Sequence, residues 1–469
     1  MITMRKLNCT APNVHGRPRF DFAQHGSTCL PDRQALQRLR GILGCIAILC
    51  CLAATAQGPD LVGYWHNWND ASAPYLELSQ VDPRYTVVEV SFALPAAGTT
   101  HDMVFSPAET APATFIADVV ALQAQGKKVL ISIGGANATV HLDSDTERDQ
   151  FVSSMLDILD TYGFDGIDID LEGASVAITG GTIAAPTDPR IIRLIDAVHS
   201  IADQFEVQNG VPMMLTMAPE TAYVQGGQSA YGGIWGAYLP LIDALRDRLD
   251  ILQVQLYNSG SMYGIDGGIY TQGTADFIVS QTEALLQGFT TGGGFFAPLP
   301  PEKVAIGLPA CPLAAGGGYV SPAVLEQAVD YLRGTGPQPG SYQRVATYPT
   351  LRGLMTWSIN WDAVGSCAVA DEYAQAFEDI FGITTAVQEA PDDEITVWPV
   401  PVDGGVLNIS GLDGGEDLIL LDALGRMVAT GRAASDRAVL GIELPTGAYV
   451  LRVERDGAVV TSRLIAVVR

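Results

Sequence analysis

A closed (β/α)8 barrel followed by a small all-β domain is the fold class that this sequence predicts, on three observations. Eight apolar, strand-like runs recur between about Asp60 and Asp362, helix-like stretches separate most of them, and the composition changes after Phe381-Gly382-Ile383. The runs, in order, are LVGYWHNW from Leu61, VVEVSFAL from Val87, KKVLISIGG from Lys127, FDGIDIDLEG from Phe164, PMMLTMAPE from Pro212, ILQVQLYN from Ile251, KVAIGLPA from Lys303 and LRGLMTWSINWD from Leu351. The helical periodicity lies between them, as at 111–125, 146–162, 188–208 and 321–333. β-Branched runs alternating with helices indicate parallel strands buried on both faces. Eight such units over roughly 300 residues fit a closed barrel. An open, doubly wound sheet is the alternative, but no G-x-G-x-x-G follows a strand to support it.

The ends read differently. Arg38 and Arg40 precede the uncharged run from Gly41 to Ala54, and Ala54-Thr55-Ala56 offers the small residues at which a signal peptidase cuts. Residues 1–56 therefore read as a leader with a signal peptide, and a secreted or cell-surface location is expected. The run is too short for a confident membrane span, so none is expected in the mature chain. A lipid anchor at Cys45 or Cys51 is the competing reading. Five of the seven cysteines fall in this leader, leaving Cys311 and Cys367. In an oxidising compartment that pair suggests one disulfide, with two buried thiols as the alternative.

The formal net charge is −26; the leader holds seven basic and two acidic residues, so the remainder stands at −31. A field of that sign opposes nucleic acid and anionic membranes as partners. Only four lysines occur, which fits either salty surroundings or a GC-rich genome. With the barrel at 57–383, the polar, acidic stretch 384–394 reads as a linker. Short alternating segments then make 395–469 a β-rich domain, with a monomer expected overall.

The chemistry concentrates in YGFDGIDIDLEG, Tyr162–Gly173, where Asp165, Asp168, Asp170 and Glu172 sit in an otherwise apolar run. Alternate strand residues share a face, so Asp168, Asp170 and Glu172 point one way and Ile167, Ile169 and Leu171 the other. In a barrel the acids line the interior and end at the C-terminal mouth, where this fold places active sites. Asp165 is out of phase, nearer the strand start, where capping a turn is the plainer role. Stacked carboxylates in a dry site cannot all ionise, so at least one should hold a proton near neutral pH. Glu172, nearest the mouth, is the natural general acid. A calcium or magnesium site competes on spacing, but the intervening Ile and Leu supply no oxygen ligands. His66, His101, His141 and His199 show no ligand spacing, so neither metal nor cofactor is expected.

DGIDIDLE resembles the DxxDxDxE signature of glycoside hydrolase family 18, and SIGG, with Ser132, Gly134 and Gly135, resembles that family's SxGG element. VGYWHNW, QLYN and MTWSINWD fall on the matching first, sixth and eighth strands. The resemblance implies an endo-acting chitinase of the compact, hevamine-like type, working on β-1,4-linked N-acetylglucosamine polymers with retention. It implies no carboxylate nucleophile, an exception to the usual two-carboxylate scheme. Glu172 would protonate the glycosidic oxygen while the substrate's 2-acetamido oxygen attacks the anomeric carbon. Asp170 would orient the acetamido N–H, Asp168 would share a proton with Asp170, and Tyr257 would bind the acetamido oxygen. Trp357 would floor the cleavage subsite, with Tyr64, Phe92, Met217, Gln255, Asn258 and Gly135 as further substrate contacts. Gln255 and Asn258 depart from the MxYD pattern of many members, which bears on the pH optimum. Only about forty residues, Cys311 to Thr350, separate strands seven and eight, too few for the α+β insertion that walls a deep cleft, so a shallow groove is expected. The same acids also serve endo-β-N-acetylglucosaminidases of N-glycans, and lectin relatives often lack the equivalent of Glu172. VWPVPVDGGVLNIS, LLDALGRMV and LPTGAYVLRVERDGAVVTSRLIAV resemble the sorting domain of type IX secretion substrates, with Val400 where Asn is usual. That implies the outer-membrane secretion machinery as a partner.

Overall fold

The computed structural model describes residues 58–365, 367–382, 395–398, 405–421, 426–442, 444–445, 447–455 and 458–467. The leader with its five cysteines, the linker and Val400 lie outside the described residues. Eight parallel strands form one sheet: β1 Asp60–His66, β2 Val87–Pro95, β3 Lys128–Gly134, β4 Gly166–Asp170, β5 Met214–Met217, β6 Ile251–Leu252, β7 Ala305–Pro309 and β8 Gly353–Trp357. Each pairs with its sequence neighbour, and β8 pairs with β1 through Asp60↔Gly353 to Gly63↔Thr356. Between β6 and β7 the ring is completed by two isolated parallel bridges, Leu252↔Val304 and Gln255↔Gly307. The barrel is thus nearly closed, and its weakest seam lies beside β6, whose regular ladder spans only two residues.

Strand alternation sorts side chains into two cores. Val62, Tyr64, Val87, Leu130, Ala218, Ile251, Ala305 and Met355 fill the interior of the ring. The opposite parity, including Trp65, Val88, Val90, Ile131, Ile167 and Ile169, packs beneath the helices. β1 shows the rule within two residues. Tyr64 points inward, while Trp65 points outward and donates its indole N–H to the Leu76 carbonyl at 2.8 Å.

The helices covering the ring start and stop for local reasons. They include α1 Pro112–Ala124, α2 Asp145–Tyr162, α3 Pro189–Asn209, α4 Leu239–Ala244, α5 Ala275–Gln287 and α6 Pro322–Arg333; a single turn α7 Ile359–Asp362 and α8 Glu372–Phe381 follow β8. Ser144 caps α2 in a reciprocal box with Glu147, and Gly163, at φ 69°, ends it three residues before β4. Asp188 caps α3 with Pro189 at its first position. Two short antiparallel hairpins, 261–271 and 289–296, are additions that the sequence reading did not anticipate.

Beyond the barrel, β9 Thr396–Trp398, β10 Val406–Ser410 and β13 Arg437–Gly441 form one antiparallel sheet. β11 Asp417–Leu421, β12 Met427–Arg432, β14 Gly447–Arg455 and β15 Ala458–Val467 form a second. Leu407, Ile409, Leu418, Leu420, Leu440, Leu451, Val453 and Ile465 make a separate apolar core, consistent with a small all-β domain.

Cys311, just after β7, is disulfide-bonded to Cys367, just after α7, across 56 residues. Closing a loop of that length lowers unfolded-chain entropy by up to about 4 kcal/mol. Cys367→Ser is therefore expected to lower the thermal midpoint by several degrees, with little change in wild type under oxidising conditions. Differential scanning calorimetry with and without reductant would measure it, and midpoints that coincide would contradict the estimate.

Candidate active site

β4 carries the acids at successive depths along the barrel axis. Ser132, Asp168 and Thr216 are aligned across β3, β4 and β5, so two hydroxyls flank Asp168. The Asp168 carboxylate accepts the Tyr64 hydroxyl at 2.7 Å and the Ser132 hydroxyl at 2.6 Å on Oδ2, with Thr216 Oγ1 at 2.8 Å from Oδ1. One turn of the pleat higher, Asp170 Oδ1 accepts from the Gln255 side-chain amide at 2.9 Å. The same Nε2 reaches Glu172 Oε1 at 3.1 Å and the Ala218 carbonyl at 2.9 Å. One amide anchored on the backbone thereby holds two carboxyl groups side by side.

Glu172 lies past the end of the β4 ladder, and its base is fixed by a buried phenol. Tyr238 Oη accepts the Leu171 N–H at 2.6 Å and donates to the Leu171 carbonyl at 3.0 Å. Gly173 then turns the chain at φ 60°. The SIGG turn allows close approach from the neighbouring strand. A Cβ on Gly134, at φ 107°, would meet the Asp170 carbonyl at 2.5 Å, and one on Gly135, at φ 75°, would meet the Phe92 ring at 2.8 Å.

Asp170, Glu172, Gln255, Tyr257 and Asn258 line a cavity of about 190 Å³ together with Trp68, Phe92, Ala136, Asn137, Ala314 and Trp357. Phe92 and Trp357 lie nearly parallel, centroids 6.1 Å apart, and Trp68 stacks on His66 at 4.4 Å. The His66 ring also shares a hydrogen bond with Ser358 at 2.8 Å, and burial pulls its pKa down to about 4. Near neutral pH it is an uncharged support for the Trp68 ring.

Burial governs the titration of the acids. Asp170 is held well above the usual carboxylate range by burial, then by the charges of Glu172, Asp168 and Glu89, against the Gln255 hydrogen bond. Glu172 is raised by burial, opposed by hydrogen bonds from Gln255 and Asp170. Asp168 is raised by burial, opposed by the hydroxyls around it. Tyr257 is pushed well up by burial and by Asp170 and Glu172, so it remains a neutral phenol.

Three expected substrate contacts lie elsewhere. Tyr64 is inward but one level too deep, and its hydroxyl is committed to Asp168. Met217 has outward parity and is fully buried in the layer beneath the helices. Gly135 does not line the cavity; it yields space to Phe92. Asp165 sits at the foot of β4, where its carboxylate takes the Val129 N–H, the Gln123 amide and Lys128, tying β4 to β3. Asn137, Ala314 and Tyr238 belong to the site without having been assigned to it, and Trp68, a candidate only as an aromatic near the end of the first strand, lines the cavity. Period-2 reasoning reaches only strand residues, and these lie on loops or helix ends.

Two carboxyl groups held side by side, a buried phenol and an aromatic floor, all at the C-terminal mouth of a (β/α)8 barrel, form an arrangement suited to acid–base hydrolysis. Residues 60–328 match the glycosyl hydrolases family 18. The chain belongs to that family. It is 49% identical to chitinase Chi52 of Paenibacillus xylanexedens over 65% of this chain and 58% of that one. It is 42% identical to exochitinase 1 of Streptomyces olivaceoviridis over 69% of this chain and 56% of that one. The chain thus spans somewhat over half the length of these curated relatives. The crystal structure of a family GH18 chitinase from Chromobacterium violaceum aligns with a TM-score of 0.62 at 39% identity, covering 69% of this chain and 83% of that one.

Because the folded-state pKa of Asp170 lies above its unfolded value, the native chain binds the extra proton, and stability is lost as pH rises through the raised value. Asp170→Asn removes that loss. Its stabilising increment over wild type is expected to grow between about pH 4 and pH 8, as read from thermal midpoints at both. An equal increment at the two pH values would contradict it.

Proposed function

We propose that this chain is a secreted, endo-acting chitinase that hydrolyses β-1,4-linked N-acetylglucosamine chains with retention by substrate-assisted catalysis. The observation that carries the reading is the single Gln255 amide bridging Asp170 and Glu172 at the floor of an aromatic cavity. Glu172, whose pKa burial raises, gives its proton to the glycosidic oxygen as the C1–O bond breaks. The acetamido oxygen of the same sugar bonds to C1, and Asp170 accepts the acetamido N–H and orients it, while the Asp168 carboxylate below and the Glu172 carboxylate left by the transfer offset the positive charge of the cyclic intermediate. Tyr257 donates to the acetamido group and sets its approach. Glu172, now a carboxylate, takes a proton from water as that water opens the intermediate, which restores the starting state. Trp357 and Phe92 offer ring faces to pyranose C–H groups.

The endo assignment rests on the short connection between β7 and β8. Pro309 and Gly353 are joined by a segment whose one regular element is α6, which supports an open groove of the compact, hevamine-like kind. Exochitinase 1 of Streptomyces olivaceoviridis is 42% identical, so product analysis decides the point. Export rests on the leader and on the resemblance of 395–469 to a type IX sorting domain. Deletion of 395–469 is expected to leave hydrolase activity in cells and remove it from the medium.

Glu172→Gln is expected to lower turnover of (GlcNAc)6 by at least about two orders of magnitude while oligosaccharide affinity stays within a few fold. Undiminished hydrolysis would refute the role. A thiazoline analogue of the cyclic intermediate is expected to inhibit competitively, and mass and anomer analysis of early products should give internal cuts of β configuration, with N-glycoprotein left intact.

A further inference from the structure

A fourth carboxyl group lies inside the barrel below the three already described. Glu89, on β2, is fully buried. It faces Tyr64 on β1, Asp168 on β4, Thr216 on β5 and Gln253 just after β6. Its Oε1 lies 2.8 Å from Thr216 Oγ1 and 2.6 Å from Gln253 Nε2, and its Oε2 has no hydrogen-bond partner. Thr216 Oγ1 is also 2.8 Å from Asp168 Oδ1.

A threonine hydroxyl carries one hydrogen. Between two carboxylate anions it can satisfy only one, and the other contact would set lone pair against lone pair in a dry interior. Both contacts become hydrogen bonds if one of the two acids is protonated and donates to Thr216, which then donates onward. Asp168 receives two further hydroxyls on its other oxygen, whereas Glu89 has the Gln253 amide on one oxygen and, facing the other, only the Tyr64 hydroxyl, whose single hydrogen goes to Asp168. The better-solvated group takes the charge.

We propose that Glu89 is a positioning residue for the chemistry above: as the neutral acid it donates to Thr216, which donates to Asp168, so that Asp168 stays anionic and the shared proton resides on Asp170. The order of acidity is consistent with this, since burial and the Asp168 charge hold Glu89 well above the ordinary carboxylate range. The role rests on the hydrolase reading of Asp170 and Glu172, but the protonation of Glu89 does not.

Two measurements test it. Infrared spectra of the purified protein near neutral pH are expected to lose one protonated-carboxyl C=O band in Glu89→Gln. An unchanged band would show Glu89 to be ionised and overturn the proposal. In kinetics on (GlcNAc)6, Glu89→Leu, which cannot donate, is expected to lower kcat at least about tenfold with KM within about twofold. Glu89→Gln, whose amide can donate in the same place, is expected to recover most of that loss. Equal losses in the two variants, or none in either, would overturn it. If wild type itself fails to hydrolyse chitooligosaccharides, the functional reading falls, while the infrared count still decides the state of Glu89.

Discussion

Everything at this site follows from one constraint, the burial of a column of carboxyl groups whose hydrogen-bond partners are hydroxyls and amides rather than cations. Tyr64, Ser132, Thr216, Gln253 and Gln255 donate to Glu89, Asp168, Asp170 and Glu172. A lysine or arginine in their place would hold the acids ionised, and an ionised Glu172 could not protonate a leaving group. Neutral donors solvate a carboxylate without fixing its charge, so burial raises the pKa of each acid in the column.

That arrangement works against stability. Raised carboxyl pKa values make the folded state weaker as pH rises, and Asp362 adds to the trend, its pKa pushed up to about 6 by burial despite hydrogen bonds from Tyr85, Tyr373 and Ala374. Compensation comes from the apolar layer between strands and helices, where β4 contributes Ile167 and Ile169 and α3 contributes Ile191, Val198, Ile201 and Phe205. The same strand therefore supplies core on one face and strain on the other. Surface acids paired with arginine, such as Asp82 with Arg84 and Asp143 with Arg190, titrate the opposite way.

Period-2 alternation was sufficient to orient Asp168, Asp170 and Glu172, and the eight strands were legible because buried parallel strands leave an uninterrupted apolar imprint. It failed in instructive ways. Met217 was expected among the substrate contacts, but its parity is outward. Tyr64 has the right parity and the wrong depth, since sequence gives the face of a strand residue more readily than its height in a sheared barrel. Glu89 stands in VVEVSFAL as a lone acid, and nothing local distinguishes it from an edge residue until β1, β4, β5 and β6 are brought around it. Trp68, Tyr238 and Ala314 come from irregular segments, where spacing carries no period to read.

The division of labour between strands and loops explains how one acid geometry can serve different grooves. Asp168 and Asp170 are held by the barrel ladder itself, through rows such as Ser132↔Asp168↔Thr216, and cannot shift without breaking the register of β3 to β5. The cavity walls come from loops and strand ends: Ala314 follows the disulfide at Cys311, Trp68 leans on His66, and Trp357 is the last residue of β8. Changes in those wall residues would reshape the mouth of the cavity, yet leave the placing of Glu172 and Asp170 to Gln255. The shape of the groove is therefore a property of the rim, whereas the depth and spacing of the acids belong to the strands and to Gln255 beside them.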